Sequence, residues 1–131
     1  MCRYAFTLMV GILCACGSAQ AQFPEVLKLM GATVIPHSNI VFSAGNKAPQ
    51  SDAEWAAVLS SAGQLSAAAL KLMPMGPDRG REAWVNFTDA LGVASRKVAA
   101  AAKARNVDGV QSAGDALYDA CEGCHAAYMK K

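Results

Sequence analysis

Cysteine is too scarce in this chain to staple a fold. There are five, and Cys2, Cys14 and Cys16 lie close to the N-terminus. Beyond them only Cys121 and Cys124 remain, too few for a disulfide framework. Strand patterns are missing as well. Val, Ile and Thr never alternate with polar residues over a useful length, so a sheet-built fold is not expected. A dominant charge is also lacking. Without Arg3, the 12 Lys and Arg fall to 11, against 10 Asp and Glu, with no basic block. That excludes the electrostatic footprint of a nucleic-acid binder. No acid–base pair and no second metal motif appears, so an enzyme is not expected.

What the N-terminus does have is the layout of a leader. Arg3 precedes an apolar run over residues 5–15, and Ala19-Gln20-Ala21 is a small-residue cleavage pattern. The run is too short to anchor in a bilayer. The expected division is a signal peptide over 1–21 and one mature domain over 22–131, exported to a bacterial periplasm. A rival cut lies before Cys16, because Leu13-Cys14-Ala15-Cys16 resembles a lipoprotein processing box; it would leave a lipid anchor on Cys16.

The mature chain has strong helix periodicity. The second helix is the clearest. Ser51 and Glu54 form a capping box, and Trp55, Val58, Ala62, Leu65, Ala69 and Leu72 step by threes and fours along one face. Pro74 ends it. The third, from about Gly80 to Ala104, has the seam Trp84, Phe87, Leu91, Ala94, Val98, Ala101. Residues 106–109 break the chain. The fourth runs to about Met129 with the seam Val110, Gly114, Leu117, Cys121, Cys124, Tyr128. The first helix is less regular. Phe23, Leu27, Met30, Val34, His37 and Val41 fall on one face, Pro36 should kink or interrupt it, and 43–50 reads as loop. Four helices with short connections favour an all-α, up-down-up-down antiparallel bundle. The start of the first, the end of the second, the start of the third and the end of the fourth then share one end.

The chemistry sits in Cys121-Glu122-Gly123-Cys124-His125, which is C-x-x-C-H, the attachment motif of c-type haem. On a helix, positions i, i+3 and i+4 face the same way. Both thiols can then reach the two vinyl groups of one haem, and the imidazole is left to ligate the iron. A redox disulfide would need a thioredoxin-like setting, which is absent. Zinc would need a fourth ligand, and only His37 offers itself.

A single such motif near the C-terminus, on the last of four helices, resembles the class II cytochromes c, the cytochrome c′ family. The ending, with Tyr128 three residues after His125 and then Lys130 and Lys131, is similar to the family's usual tail. The resemblance implies a four-helix bundle carrying one covalent haem c per chain, transient redox partner proteins, and a homodimer as in many members. It also implies a place for the sixth iron ligand, since Met30 falls where low-spin members carry Met and five-coordinate members an apolar residue. At ~1.5 Å per residue, antiparallel geometry puts Met30 level with the attachment motif. Leu72, Trp84 and Phe87 lie at the same end and are expected to wall the haem, with Tyr128 on the proximal side. The chain departs from the family at Val26, where members often have Arg, and at Pro36. Two functions follow as expectations. With Met30 on the iron, the protein is an electron carrier. With an open sixth site, it binds nitric oxide or carbon monoxide.

Overall fold

A computed structural model describes residues 23–129, so the expected signal peptide, Cys16, Lys130 and Lys131 lie outside the described residues. The described chain is helical throughout. Helix α1 (Pro24–Leu29) leads through a π-turn (Met30–Val34) into α2 (Ile35–Asn46), and the three run on as one rod. Helix α3 (Asp52–Leu72) closes in a 3₁₀ turn (Met73–Met75); α4 (Arg81–Lys103) and α5 (Val107–Tyr128) follow.

Local chemistry sets these boundaries. Ser51 accepts the Glu54 N–H, and the Glu54 carboxylate reaches back to the Ser51 N–H, which completes the expected capping box on α3. Gly80 opens α4 in the left-handed region at φ 80°, a conformation glycine adopts without strain. Asn106 caps α5 by accepting the Gly109 N–H at 3.0 Å, so the expected break at 106–109 is confined to its first residue. The expected loop over 43–50 is shorter than the sequence suggests, because helix continues to Asn46. Ala44 is buried there, and a Cβ on Gly45 would stand only 3.4 Å from the Gln111 backbone, so packing on α5 holds the last turn.

The first rod shows how Pro36 disturbs it: the α-helix is interrupted by a π-turn just before the proline, and helical backbone continues beyond. Proline has no N–H for the carbonyl four residues back, and its ring would press on it. The turn before it widens instead, and Ile35 N–H bonds Met30 O, an i+5 link. A widened turn absorbs one residue, so the two sides of it are out of phase by about 100°. That shifts the inward face. Val26 is buried and Leu27 is 59% exposed, and Ser38 is buried where His37 was expected.

The remaining seams match the periodicity. All six seam residues of α3 are buried, as are Trp84, Leu91, Ala94 and Val98 of α4 and Val110, Gly114 and Leu117 of α5. Asp52–Met75 is long and apolar enough to cross a membrane, but its apolar seam is the heart of the core. Contacts at the ends fix the directions. Arg105 after α4 pairs with Asp52 at the start of α3, so these two helices are antiparallel. Gly45 near the end of α2 meets Gln111 near the start of α5, which makes those antiparallel too.

At the opposite end one tryptophan ties the elements together. Trp84 Nε1–H donates to the Leu72 carbonyl at 2.7 Å, Phe23 stacks on the indole at 5.7 Å, and Tyr128 meets it edge-on at 5.1 Å. Tyr128 in turn donates its hydroxyl to the Gly80 carbonyl at 2.6 Å. Thus the start of α1, the end of α3, the start of α4 and the end of α5 share one end. Gly76 lies flat on the same indole, and a Cβ there would overlap its carbons. Gly76→Ala should therefore destabilise the fold by about 1–3 kcal/mol through overpacking, read as a lower urea midpoint at unchanged slope.

Candidate functional site

Just inside that end the bundle opens into a cavity of about 550 Å³, within the ~300–1,000 Å³ of cofactor and ligand sites. It lies between the first rod and α5, with α4 behind. From α5 it is lined by Cys121, Cys124, His125 and Glu122, and from the first rod by Met30, Gly31, Val34 and Ser38. Trp84, Phe87, Thr88 and Leu91 of α4 and Leu72 of α3 form the back wall. The lip is apolar and open, with Leu27, Ile35 and Met129 more than half exposed. Phe42 and Tyr118 meet edge-on at 6.3 Å across the far end.

The motif residues reach this space because α5 is regular through them. Cys121 and Cys124 are half-buried free thiols one turn apart, and His125 is exposed at the cavity's edge. Gly123, between the two cysteines, has a packing reason. A Cβ there would stand 2.6 Å from Phe87 Cε1, so only glycine lets the Phe87 ring lie against α5 and line the cavity.

The electrostatics of the thiols discriminate between chemistries. Burial pushes the Cys121 thiol up from its ordinary value. Burial, and then the neighbouring Cys121, push Cys124 up to about 11. The motif also lies in the last two turns of α5, at the negative end of the helix dipole, which disfavours a thiolate and favours a cation. Disulfide oxidoreductases do the reverse, with the first cysteine at a helix N-terminus and its thiol depressed. The Cys121–Cys124 pair is therefore poorly set for thiol–disulfide exchange.

Of the residues expected at the site, Met30, Leu72, Trp84, Phe87, Cys121, Cys124 and His125 all line the one cavity. Tyr128 does not; it stands behind Trp84, tied to Gly80. His37 also points elsewhere, with Nδ1 3.1 Å from Ser61 Oγ of α3, so it cannot complete a zinc site with the cysteines. Among the described residues no three His, Cys, Asp or Glu side chains are gathered to hold a metal ion unaided.

Sequence reasoning missed Ser38. It is 6% exposed, it lines the cavity, and its hydroxyl has no hydrogen-bond partner. Such an orphan costs about 1–3 kcal/mol if nothing meets it. A serine near a proline on an otherwise apolar face was the available signal, but regular helical phase turned it away from the core.

No family model, curated protein or solved structure matches the chain. The functional reading therefore rests on the motif and on the cavity it opens into.

The raised thiols make a pH test. Thiolate is the nucleophile, and a group with its pKa near 11 is ~10⁻⁴ ionised at pH 7. Alkylation of Cys124 in the unmodified folded chain should be slow at neutral pH and rise about tenfold per pH unit, levelling only near pH 11. A rate already level at pH 8 would show a depressed thiol and favour a redox role.

Proposed function

We propose that this protein is a c-type cytochrome of the cytochrome c′ type, exported to the periplasm, that carries one covalent haem and transfers electrons. The observation that carries the reading is the opening of Cys121, Cys124 and His125 into an apolar cavity whose opposite wall contains Met30. The residues present fit the group. Two thiols one turn apart can be consumed as thioethers, the imidazole beside them stands at the cavity's edge, and flat aromatic walls stand at the back. The helix end that holds His125 also favours positive charge, which suits an imidazole bound to a cationic iron.

Haem held there would supply a one-electron iron couple. The chain's own contribution is placement and exclusion. Cys121 and Cys124 would fix the group to α5, His125 would be the proximal ligand and Met30 the distal one. A thioether ligand favours the reduced metal and raises the potential. Trp84, Phe87, Leu72 and Leu91 keep water from the inner face. The open lip between α1 and α5 leaves an edge near the surface, where a redox partner can approach.

One observation favours a second reading, the binding of nitric oxide or carbon monoxide at an open sixth position. Gly31, next to Met30, lines the cavity, and a Cβ there would meet nothing within 4 Å. There is room beside Met30 for a small ligand.

The attachment is tested by extraction. After maturation with haem, the denatured protein should keep its pigment through acid-acetone treatment, and the double variant Cys121→Ala, Cys124→Ala should lose it. Pigment that extracts freely from the wild type would refute the proposal. Spectra of the matured protein then separate the two functions. With Met30 on the iron, the ferric form is low-spin with a weak far-red band. Met30→Ala should turn it high-spin, lower its reduction potential and speed carbon monoxide binding. A wild type that is already high-spin at neutral pH would move the assignment to gas binding.

A further inference from the structure

Among the described residues four side-chain hydroxyls are buried in the bundle, and three of them are satisfied within the chain. Thr88 donates to the Trp84 and Val85 carbonyls, Ser95 donates to Leu91 at 2.7 Å, and Ser61 pairs with His37. Ser38 alone has no partner, although a serine in a helix ordinarily has its own i−4 carbonyl within reach. It is buried, although the least so of the four, and it faces the cavity. A buried polar atom left open beside a cavity points to something that enters the cavity.

We propose that the Ser38 hydroxyl donates a hydrogen bond to one of the two rim carboxylates of the bound haem, seating that carboxylate at the α2 end of the cavity. The inference rests on the haem reading above. Two observations select this acceptor. The first is position along the rod. Ser38 is eight residues beyond Met30 with one residue absorbed in the π-turn, so the two share a face about 10 Å apart. A hydrogen bond spans about 3 Å, so Ser38 is out of reach of anything bound to iron opposite Met30. The rim of a tetrapyrrole reaches that far, and its only polar groups are the two carboxylates. The second is charge. Among the described residues no Lys or Arg lines the cavity. The ionisable groups that line it all come from α5: Glu122, His125, the Tyr118 phenol and the two cysteine thiols; α3 contributes only Leu72, and α4 contributes no charged side chain. His37, beside Ser38, is turned to Ser61. A carboxylate at this end therefore finds no cation among the lining residues. The donors there are the buried Ser38 hydroxyl, the exposed Asn39 amide and the exposed Tyr118 phenol.

The test uses protein matured with haem as wild type, Ser38→Ala and Ser38→Thr. Intact mass first establishes covalent haem in each. Resonance Raman then reads the propionate bending band, which responds to hydrogen bonding, and potentiometry reads the midpoint. Ser38→Ala should shift the band and lower the midpoint, because an unshared carboxylate charge favours the ferric iron. Ser38→Thr, which keeps the hydroxyl, should restore both. If Ser38→Ala carries haem with the wild-type band and midpoint, the proposal is overturned. If Ser38→Ala does not mature, Ser38→Cys, near in volume and a much weaker donor, is read the same way. A wild type without covalent haem would sink the functional reading and this inference with it.

Discussion

Pro36 has no N–H to give the carbonyl of Ala32, and in a regular helix its ring would press against that carbonyl. The widened turn at Met30–Val34 removes the conflict, and its geometric cost is one residue of phase. In an unbroken helix, residues seven apart lie about 20° from each other and residues eight apart about 80°. With one residue absorbed, a spacing of eight behaves as seven. Val26 and Val34 then share the inward face, as do Met30 and Ser38, while Leu27 and His37 are rotated off it. The wall of the cavity that faces α5 is therefore a product of the proline. A straight helix would have presented His37 to this space in place of Ser38. The bulge instead hands His37 to Ser61 and leaves a thioether and a hydroxyl facing the cavity.

The cavity exists because side-chain volume is unevenly shared along the bundle. At one end α2 and α5 approach through Gly45 and Gly114, and Ala44, Val110 and Ala113 are small enough to close the gap. At the other end the seams carry Phe23, Trp84, Phe87 and Met30. These cannot interdigitate as tightly, and the Trp84 indole is pinned by its bond to the Leu72 carbonyl and by Gly76 beneath it. A pinned ring cannot collapse into the space beside it, so the cavity keeps its shape. Gly123 adds to this by giving the Phe87 ring a flat seat on α5.

Much of this was legible in the residues. The seams of α3, α4 and α5 could be read directly, because each is a regular helix whose three-four stepping translates into burial without adjustment. Ser51 with Glu54 marked the start of α3 by its chemistry, whereas Asn106, read only as part of a break, proved to be the cap of α5. The motif was legible too, since i, i+3 and i+4 on a regular helix must share a side. The first rod was where the reading failed. Proline signals a disturbance, but several outcomes satisfy its missing donor, and packing against α3 and α5 decides among them. Every misplaced residue there, Leu27, His37 and Ser38, follows from that one undetermined turn. The early stop assigned to α2 has a different cause. Its last turn is held by contact with Gln111, far away in sequence, and no local signal reports it.

The two ends of the cavity differ in a way that bears on electron transfer. At the α5 side the helix terminus contributes negative potential near His125, and Glu122 adds a carboxylate, both of which stabilise positive charge on a bound metal. At the α2 side there is no charge among the described lining residues, and the donors Ser38, Asn39 and Tyr118 are neutral. In a lining this apolar, electrostatic terms are weakly screened, so a single hydrogen bond or ligand exchange has more influence on a redox couple than it would in water. On the proposed haem reading, a thioether at Met30 would raise the potential, while the helix end and Glu122 would lower it by favouring the ferric charge. The potential would then be a balance between these opposed contributions rather than the property of one ligand. Because Glu122 and the end of α5 stand at the exposed edge of the cavity, a partner docking on the open lip would displace water from them and strengthen their field. Binding and electron affinity would be coupled through the same face.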